Sequence, residues 1–452
     1  MAVNGKPAGG VRLEAHWRLV SWSLLDKGLP LVFGIAFVLL VVRTLPPEEF
    51  GMQALAAAMV LTASQLLRSL FLVPTIKFVA ETPSPGRIAA TGTLLYVAAS
   101  GLAALGLAAF PGGWSRLFDK PGLAAVLLPS ACLLGAGSAR DAALAVLEGR
   151  RALRRLFVLD AIYYVIAIGL LAWWRASPMP RTAVAIQWMQ AGAAAVGSLL
   201  ALAATRDVLA ARPSRAEGGR LVRFGGFAFG SGLGETLRQQ ADVLLAGRLL
   251  DASGVAAYGT AKLFFRGFNQ LAQSIVQILM PLVSRLQAAQ RTDDLRVLYE
   301  KSVCFLALAL VPICAVLWLF TEPLLRLFVG ERGADSVPVL RWLVVSALAL
   351  PGASVGSPFL LGMGRVRTLF VITWSGLLVW FLGALVGLHH HGAAGGAAAV
   401  CVAAMFGLAA RTWVLQRALG FRLRDVAGRW RDAREAIRRR LDQGLMRRRT
   451  RG

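Results

Sequence analysis

The chain has 452 residues, 57% of them hydrophobic, and a formal net charge of +25; its mean hydropathy is +0.62. A water-soluble core cannot absorb that much apolar surface, and runs of about 20 apolar residues, the length that crosses a bilayer core, recur throughout. The basic residues cluster between these runs and in the C-terminal tail, a distribution that argues against nucleic acid as the partner, so the chain reads as an all-α polytopic membrane protein.

In chain order, eighteen mostly polar residues precede a first apolar run that is too long for a signal-peptide core, so the run reads as an uncleaved span. Twelve spans are expected. The first six are Leu19–Val42, Met52–Ala80, Ile88–Phe110, Gly122–Leu147, Leu156–Trp174 and Thr182–Ala204. The second six are Leu221–Leu245, Val255–Leu286, Ser302–Phe320, Asp335–Leu361, Val366–Leu388 and Gly395–Gln416. This divides the chain into an N-terminal segment over 1–18, an N-lobe over 19–205, a linker over 206–220, a C-lobe over 221–416 and a basic tail over 417–452.

Arginines accumulate in alternate connections: Arg150, Arg151, Arg154 and Arg155; Arg206, Arg212, Arg215 and Arg220; Arg285, Arg291 and Arg296; Arg365 and Arg367. The positive-inside tendency then puts both termini in the cytoplasm. In the tail, Leu423, Val426, Trp430, Ile437 and Leu441 share one helical side among arginines, the pattern of a helix lying on an anionic leaflet; a partner protein or disorder of the last residues is the alternative. The segment RTLPPEEFGMQA from Arg43 aligns with RLLDASGVAAYG from Arg248. Each joins the first two spans of a half, as in an internal repeat with six spans per unit.

Charged residues lie well inside the seventh and eighth spans. Glu235, Arg238, Gln239 and Asp242 share one face of the seventh, and Lys262, Arg266, Gln270, Gln273 and Gln277 form a stripe on the eighth. With the turn centred near Leu250, antiparallel packing sets Glu235 level with Arg266 and Arg238 level with Lys262. A charge at the centre of a membrane helix costs about 2.5–3.5 kcal/mol on the insertion scale, so these faces are expected to look toward each other or toward water.

Elsewhere, Asp26 adjoins Lys27 in the first span and Arg68 lies midway along the second. Asp141 and Glu148 share a face of the fourth, and Asp160 and Tyr164 lie on the fifth; pairing with Arg140 and the Arg150–Arg155 run is expected, with a cytoplasmic mouth as the alternative. Gly225, Gly226, Gly230, Gly232 and Gly234 allow the seventh span either to pack closely or to bend. Pro30, Pro74 and Pro281 are candidate kinks. Cys132, Cys304, Cys314 and Cys401 read as small core hydrophobes, and His389, His390 and His391 as a solvated outer loop.

The region Leu221–Leu286 resembles the polysaccharide-transporter branch of the multidrug/oligosaccharidyl-lipid/polysaccharide (MOP) exporter superfamily. The resemblance is carried by Asp242 and Gly247, by Tyr258 and Ala261 opening the eighth span, by the exit Pro281, Ser284 and Arg285, and by the echo RTLPPEEFG in the first half. It implies two six-helix lobes around a central cavity. The function it implies is flipping of a polyisoprenoid-diphosphate-linked oligosaccharide, such as an O-antigen-type precursor of lipopolysaccharide, across the inner membrane by alternating access.

Such a cargo needs a hydrated, cation-lined path, because arginine and lysine give charge-assisted hydrogen bonds to phosphate. Lys27, Arg68, Arg238, Lys262 and Arg266 are the candidate substrate-binding residues, against the alternative that each holds helices together in an internal ion pair. Asp26, Glu235 and Asp242 are candidates for coupling to a proton or sodium gradient, against simple counter-charges. No cofactor or metal is expected. The partners are the lipid-linked oligosaccharide, membrane lipids and glycan-assembly proteins. A multidrug or organic-cation antiporter of the same fold is the first alternative, and a membrane glycan-assembly enzyme the second.

Overall fold

The computed structural model describes residues 13–82 and 84–430; within these, the side chains of Lys27, Glu235, Gln270, Gln273, Gln277, Pro281 and a number of others lie outside the description. Every described element of regular structure is helical. The helices are α1 (Leu13–Phe37), α2 (Pro47–Leu67), α3 (Val73–Glu81), α4 (Gly86–Ala109), α5 (Pro111–Phe118), α6 (Leu123–Gly149), α7 (Leu153–Ala176) and α8 (Ala183–Leu209). They continue as α9 (Arg215–Leu249), α10 (Ala252–Ala288), α11 (Thr292–Leu319), α12 (Thr321–Val329), α13 (Val337–Ala347), α14 (Leu350–Gly362), α15 (Val366–Leu419) and α16 (Leu423–Gly428).

Each of the twelve expected stretches is helical over nearly its whole length. Among the described residues, seven helices are long and apolar enough to cross a membrane, or eight if the bent pair ending in α14 counts as one span. This is a multi-pass membrane protein. The stretch Asp335–Leu361 is broken between α13 and α14, which bend by 45°; Pro351 in the first turn of α14 has no N–H to continue the preceding helix.

α15 is 54 residues long, which as a straight helix would be about 80 Å, far beyond the roughly 30 Å of a hydrocarbon core. It reverses instead at Gly392, whose φ of 56° and ψ of −144° are open to glycine. Past the reversal the two arms touch backbone to backbone: a Cβ on Gly395 would sit 1.9 Å from the carbonyl oxygen of Gly387. His389, His390 and His391 are exposed, as expected, but they close the first arm of α15 and do not form a loop.

Two wide (π) turns interrupt the first two spans, at Val38–Val42 and at Arg68–Leu72. The second immediately precedes Pro74 and absorbs the hydrogen bond that proline cannot make. Gly225 packs against this turn so closely that a Cβ would lie 1.8 Å from the carbonyl oxygen of Leu70, whereas Gly226 and Gly230 have open space beside them. Close packing therefore accounts for Gly225 and not for Gly226 or Gly230.

By internal contacts the chain forms two compact units, Met1–Thr236 and Leu237–Gly452. The division falls inside α9 rather than in the expected linker, which is mostly helical: α8 runs to Leu209 and α9 begins at Arg215. In unit 1, α6 and α8 form the central pair, and Trp174 is fully buried with its indole N–H donating to the carbonyl of Pro180 at 3.2 Å. Glu49 on α2 accepts the Ala183 N–H at 2.7 Å, capping α8 at the end where its dipole favours an anion. In unit 2, Tyr299 stacks between Phe359 and Phe421, with ring centroids 5.2 and 4.8 Å away.

The start of the tail is fastened to unit 2. Glu300, fully buried, takes Arg296 at 2.9 Å and Arg429 at 2.8 Å, and Arg296 also reaches Asp425 at 2.5 Å. The Arg422 N–H and then Arg296 hold the Asp425 carboxyl below the usual carboxylate range, so the contact persists at neutral pH and is released as the medium turns acid. Ile437 and Leu441 lie outside the described residues.

Gly395→Val is expected to lower the melting temperature of the detergent-solubilised protein, because a methyl group driven into backbone costs at least the roughly 1–3 kcal/mol of an overpacked core. Gly226→Ala should leave it unchanged, and melting followed by size-exclusion fluorescence compares the two.

Candidate functional site

Among the described residues, each unit holds a charge constellation within its long apolar helices. In unit 2 it is built by the hairpin of α9 and α10, whose turn is fixed by Asp251: its carboxylate accepts the Ser253 hydroxyl at 2.6 Å and the Gly254 N–H at 2.9 Å. This sets the register. The Lys262 ammonium donates to the Gln239 carbonyl oxygen, one residue from the expected level of Arg238. It also pairs with Asp242 at 2.5 Å, and the Tyr258 hydroxyl donates to the other Asp242 oxygen at 2.9 Å.

Tyr258 is fully buried and Asp242 nearly so. The pair is thus a desolvated ion pair with both carboxylate oxygens engaged, the condition under which a buried charge is tolerated. Arg238 and Arg266, on exposed positions of the same two helices, both act on the charge of Lys262. Among the described residues, three cations therefore gather around one carboxylate. The Glu235 side chain lies outside the description, so its expected pairing with Arg266 does too.

In unit 1, Arg140 is the centre. It pairs with Asp160 on α7 and, at 3.4 Å, with Asp141 next to it in the chain. Its guanidinium carbon lies 3.9 Å from the Tyr163 ring centroid, and its backbone N–H donates to the Ser198 hydroxyl on α8 at 3.0 Å. The Tyr96 hydroxyl on α4 donates to Asp141 at 3.3 Å. Asp26, on α1, lies close enough to act on the charge of Asp160.

Three acids thus meet one arginine, in the opposite charge balance to unit 2. The sequence reading paired Asp141 and Asp160 with Arg140. It left Tyr96 and Ser198 aside, since nothing in their local sequence marks them and only the packing of α4, α6 and α8 brings them in.

Arg68 pairs with Glu148 at 3.2 Å, both half-exposed, and Arg150 rather than Arg68 takes Asp207, at 3.1 Å. The Lys27 side chain lies outside the described residues. Cys304, Cys314 and Cys401 are buried, Cys132 is partly so, and all four are free thiols.

Comparison with known proteins gives a consistent set. The model of a family described as polysaccharide biosynthesis protein matches residues 40–338. The succinoglycan biosynthesis transport protein ExoT of Rhizobium meliloti (strain 1021) is 26% identical over 370 residues, which cover 80% of this chain and 72% of the relative. Among solved structures, the lipid II flippase MurJ in an inward closed conformation aligns with a TM-score of 0.72 at 11% identity, over 91% of this chain and 89% of that one. An inward-facing multidrug resistance MATE transporter of the MOP superfamily aligns with a TM-score of 0.69 at 16% identity, over 86% and 94%. At such identities these structures establish a shared fold.

Asp242→Asn is expected to destabilise the protein by about 3–5 kcal/mol, because it strands a buried ammonium. Adding Lys262→Met should recover most of the loss. A melt of the single and double variants in detergent separates a structural pair from two independent side chains.

Proposed function

The chain belongs to the polysaccharide biosynthesis protein family, and we propose that it flips a polyisoprenoid-diphosphate-linked oligosaccharide across the cell inner membrane by alternating access. Both termini then face the cytoplasm, with the arginine-rich connections on that side. The cargo lipid, the surrounding membrane lipids and glycan-assembly proteins are its partners. The relative from Rhizobium meliloti is named as a biosynthesis transport protein, and MurJ as a flippase of lipid II; both names describe transport rather than bond-making chemistry.

The observation that carries the reading is that Arg238 and Arg266 stand on exposed positions of the two helices that hold the buried Asp242–Lys262 pair. In this reading the two arginines meet the anionic headgroup in a hydrated path. A diphosphate offers acceptor oxygens that match the guanidinium fork. An organic-cation antiporter would need the reverse charge balance at this place. The acid-rich cluster of unit 1 suits a separate task, and we assign coupling to a proton there, on Asp26, whose carboxyl lies near that of Asp160. Asp242 is a counter-charge in this reading.

In cells whose own copy is deleted, the variant Arg238→Gln/Arg266→Gln should lower surface polysaccharide by about ten-fold or more at equal expression, with lipid-linked repeat units accumulating on the inner leaflet, since each charge-assisted contact contributes about 1.5–3 kcal/mol. Full surface polysaccharide would remove these two residues from the cargo path. In proteoliposomes, Asp26→Asn should move cargo at the same rate with and without a proton gradient, while the wild-type rate responds to it. A variant that keeps the response would exclude Asp26 as the coupling group.

A further inference from the structure

Unit 1 also contains a cationic feature, remote in sequence from the acid-rich Arg140 cluster, where α3 ends and α9 begins. A cavity of about 650 Å³ is lined by Phe78, Gly219, Arg220, Arg223 and Phe224. Its two phenyl rings meet edge to face with centroids 5.5 Å apart, and they hold cations in place. The Arg220 guanidinium carbon lies 4.1 Å from the Phe78 centroid, and the Lys77 ammonium 4.2 Å from that of Phe224. Guanidinium stacked on a ring keeps its N–H edges available to an anion. Arg223 is exposed and makes no ion pair or hydrogen bond among the described residues. The acid nearest in the chain, Glu217, reaches only Arg220, at 3.8 Å.

The depth of the pocket is set by the helix ends. Phe78 is three residues from the end of α3 and Arg220 five from the start of α9, or about 5 and 8 Å along the helices. The headgroup layer of one leaflet is of that thickness, roughly 5–8 Å. Both helix ends join connections on the arginine-rich side, the cytoplasmic one in the topology proposed above.

We infer that this pocket is a binding site for the phosphodiester headgroup of an acidic glycerophospholipid. Lys77, Arg220 and Arg223 take the phosphate, and Phe78 and Phe224 abut the glycerol and the first acyl carbons. A free phosphate shares the first half of this chemistry, but two of the five lining residues are phenylalanines, whose rings offer a small hydrated anion no hydrogen bonds and suit lipid carbon. The site lies outside the Asp242–Lys262 constellation, so the inference is independent of the cargo assignment.

The test is native mass spectrometry of the full-length protein released from phosphatidylcholine bilayers doped with phosphatidylglycerol. Wild type should retain phosphatidylglycerol in preference to phosphatidylcholine. Retention by Arg220→Gln/Arg223→Gln should fall by about ten-fold, as expected for the loss of charge-assisted phosphate contacts, while Arg326→Gln in unit 2 leaves it unchanged. Equal retention by wild type and double variant, absence of headgroup preference, or displacement by millimolar inorganic phosphate would overturn the assignment. Should the double variant fold poorly, photoreactive phosphatidylglycerol on the wild-type protein decides: crosslinks within residues 219–224 support the site, and crosslinks confined to other segments refute it.

Discussion

A charge inside hydrocarbon must find a partner or water, and the Asp242–Lys262 pair is where this chain meets that constraint most directly. Two long helices bring their charges to one level, and the pair needs Tyr258 and the Gln239 carbonyl to complete its hydrogen bonding. The turn at Asp251 keeps these groups in register. Arg238 and Arg266 stand on exposed positions of the same two helices. The same rule shapes unit 1, where Arg140 serves Asp141 and Asp160 with Asp26 nearby. A transporter has use for both balances, one to attract an anionic cargo and one to carry a proton.

Backbone devices place these charges. The wide turn before Pro74 and the missing side chain at Gly225 let α9 lie against the second span. The Gly392 reversal folds α15 into two arms that meet at Gly387 and Gly395. On the tail side, a fully buried carboxylate at Glu300 gathers two arginines and secures the last described helix. The proline and the glycines, which weaken a helix in isolation, are used where two backbones must approach.

Much of this was legible in the sequence, because membrane helices announce themselves by length and hydropathy. The α9–α10 register came within one residue, since a short turn leaves little freedom between Asp242 and Lys262. What escaped is equally physical. The short helices α5 and α12 each follow a span and carry the tripeptide Arg-Leu-Phe, at Arg116–Phe118 and Arg326–Phe328. They are too short and too amphipathic to register as spans, yet they extend the internal repeat that Arg43 and Arg248 suggest. Tyr96 and Ser198 joined the Arg140 cluster through contacts between helices far apart in sequence, which no local pattern encodes. The domain boundary was sought in a polar linker, but α9 is one continuous helix and the change of neighbours falls at Thr236.

The account rests on the charge of the cargo. Purified protein in proteoliposomes can be offered a fluorescent polyisoprenoid-diphosphate oligosaccharide and, separately, a fluorescent lipophilic cation, with a membrane-impermeant quencher reporting how much of each changes sides. Movement of the diphosphate-linked lipid and no movement of the cation is the expected result. Movement of the cation with the diphosphate-linked lipid left in its original leaflet would contradict the account.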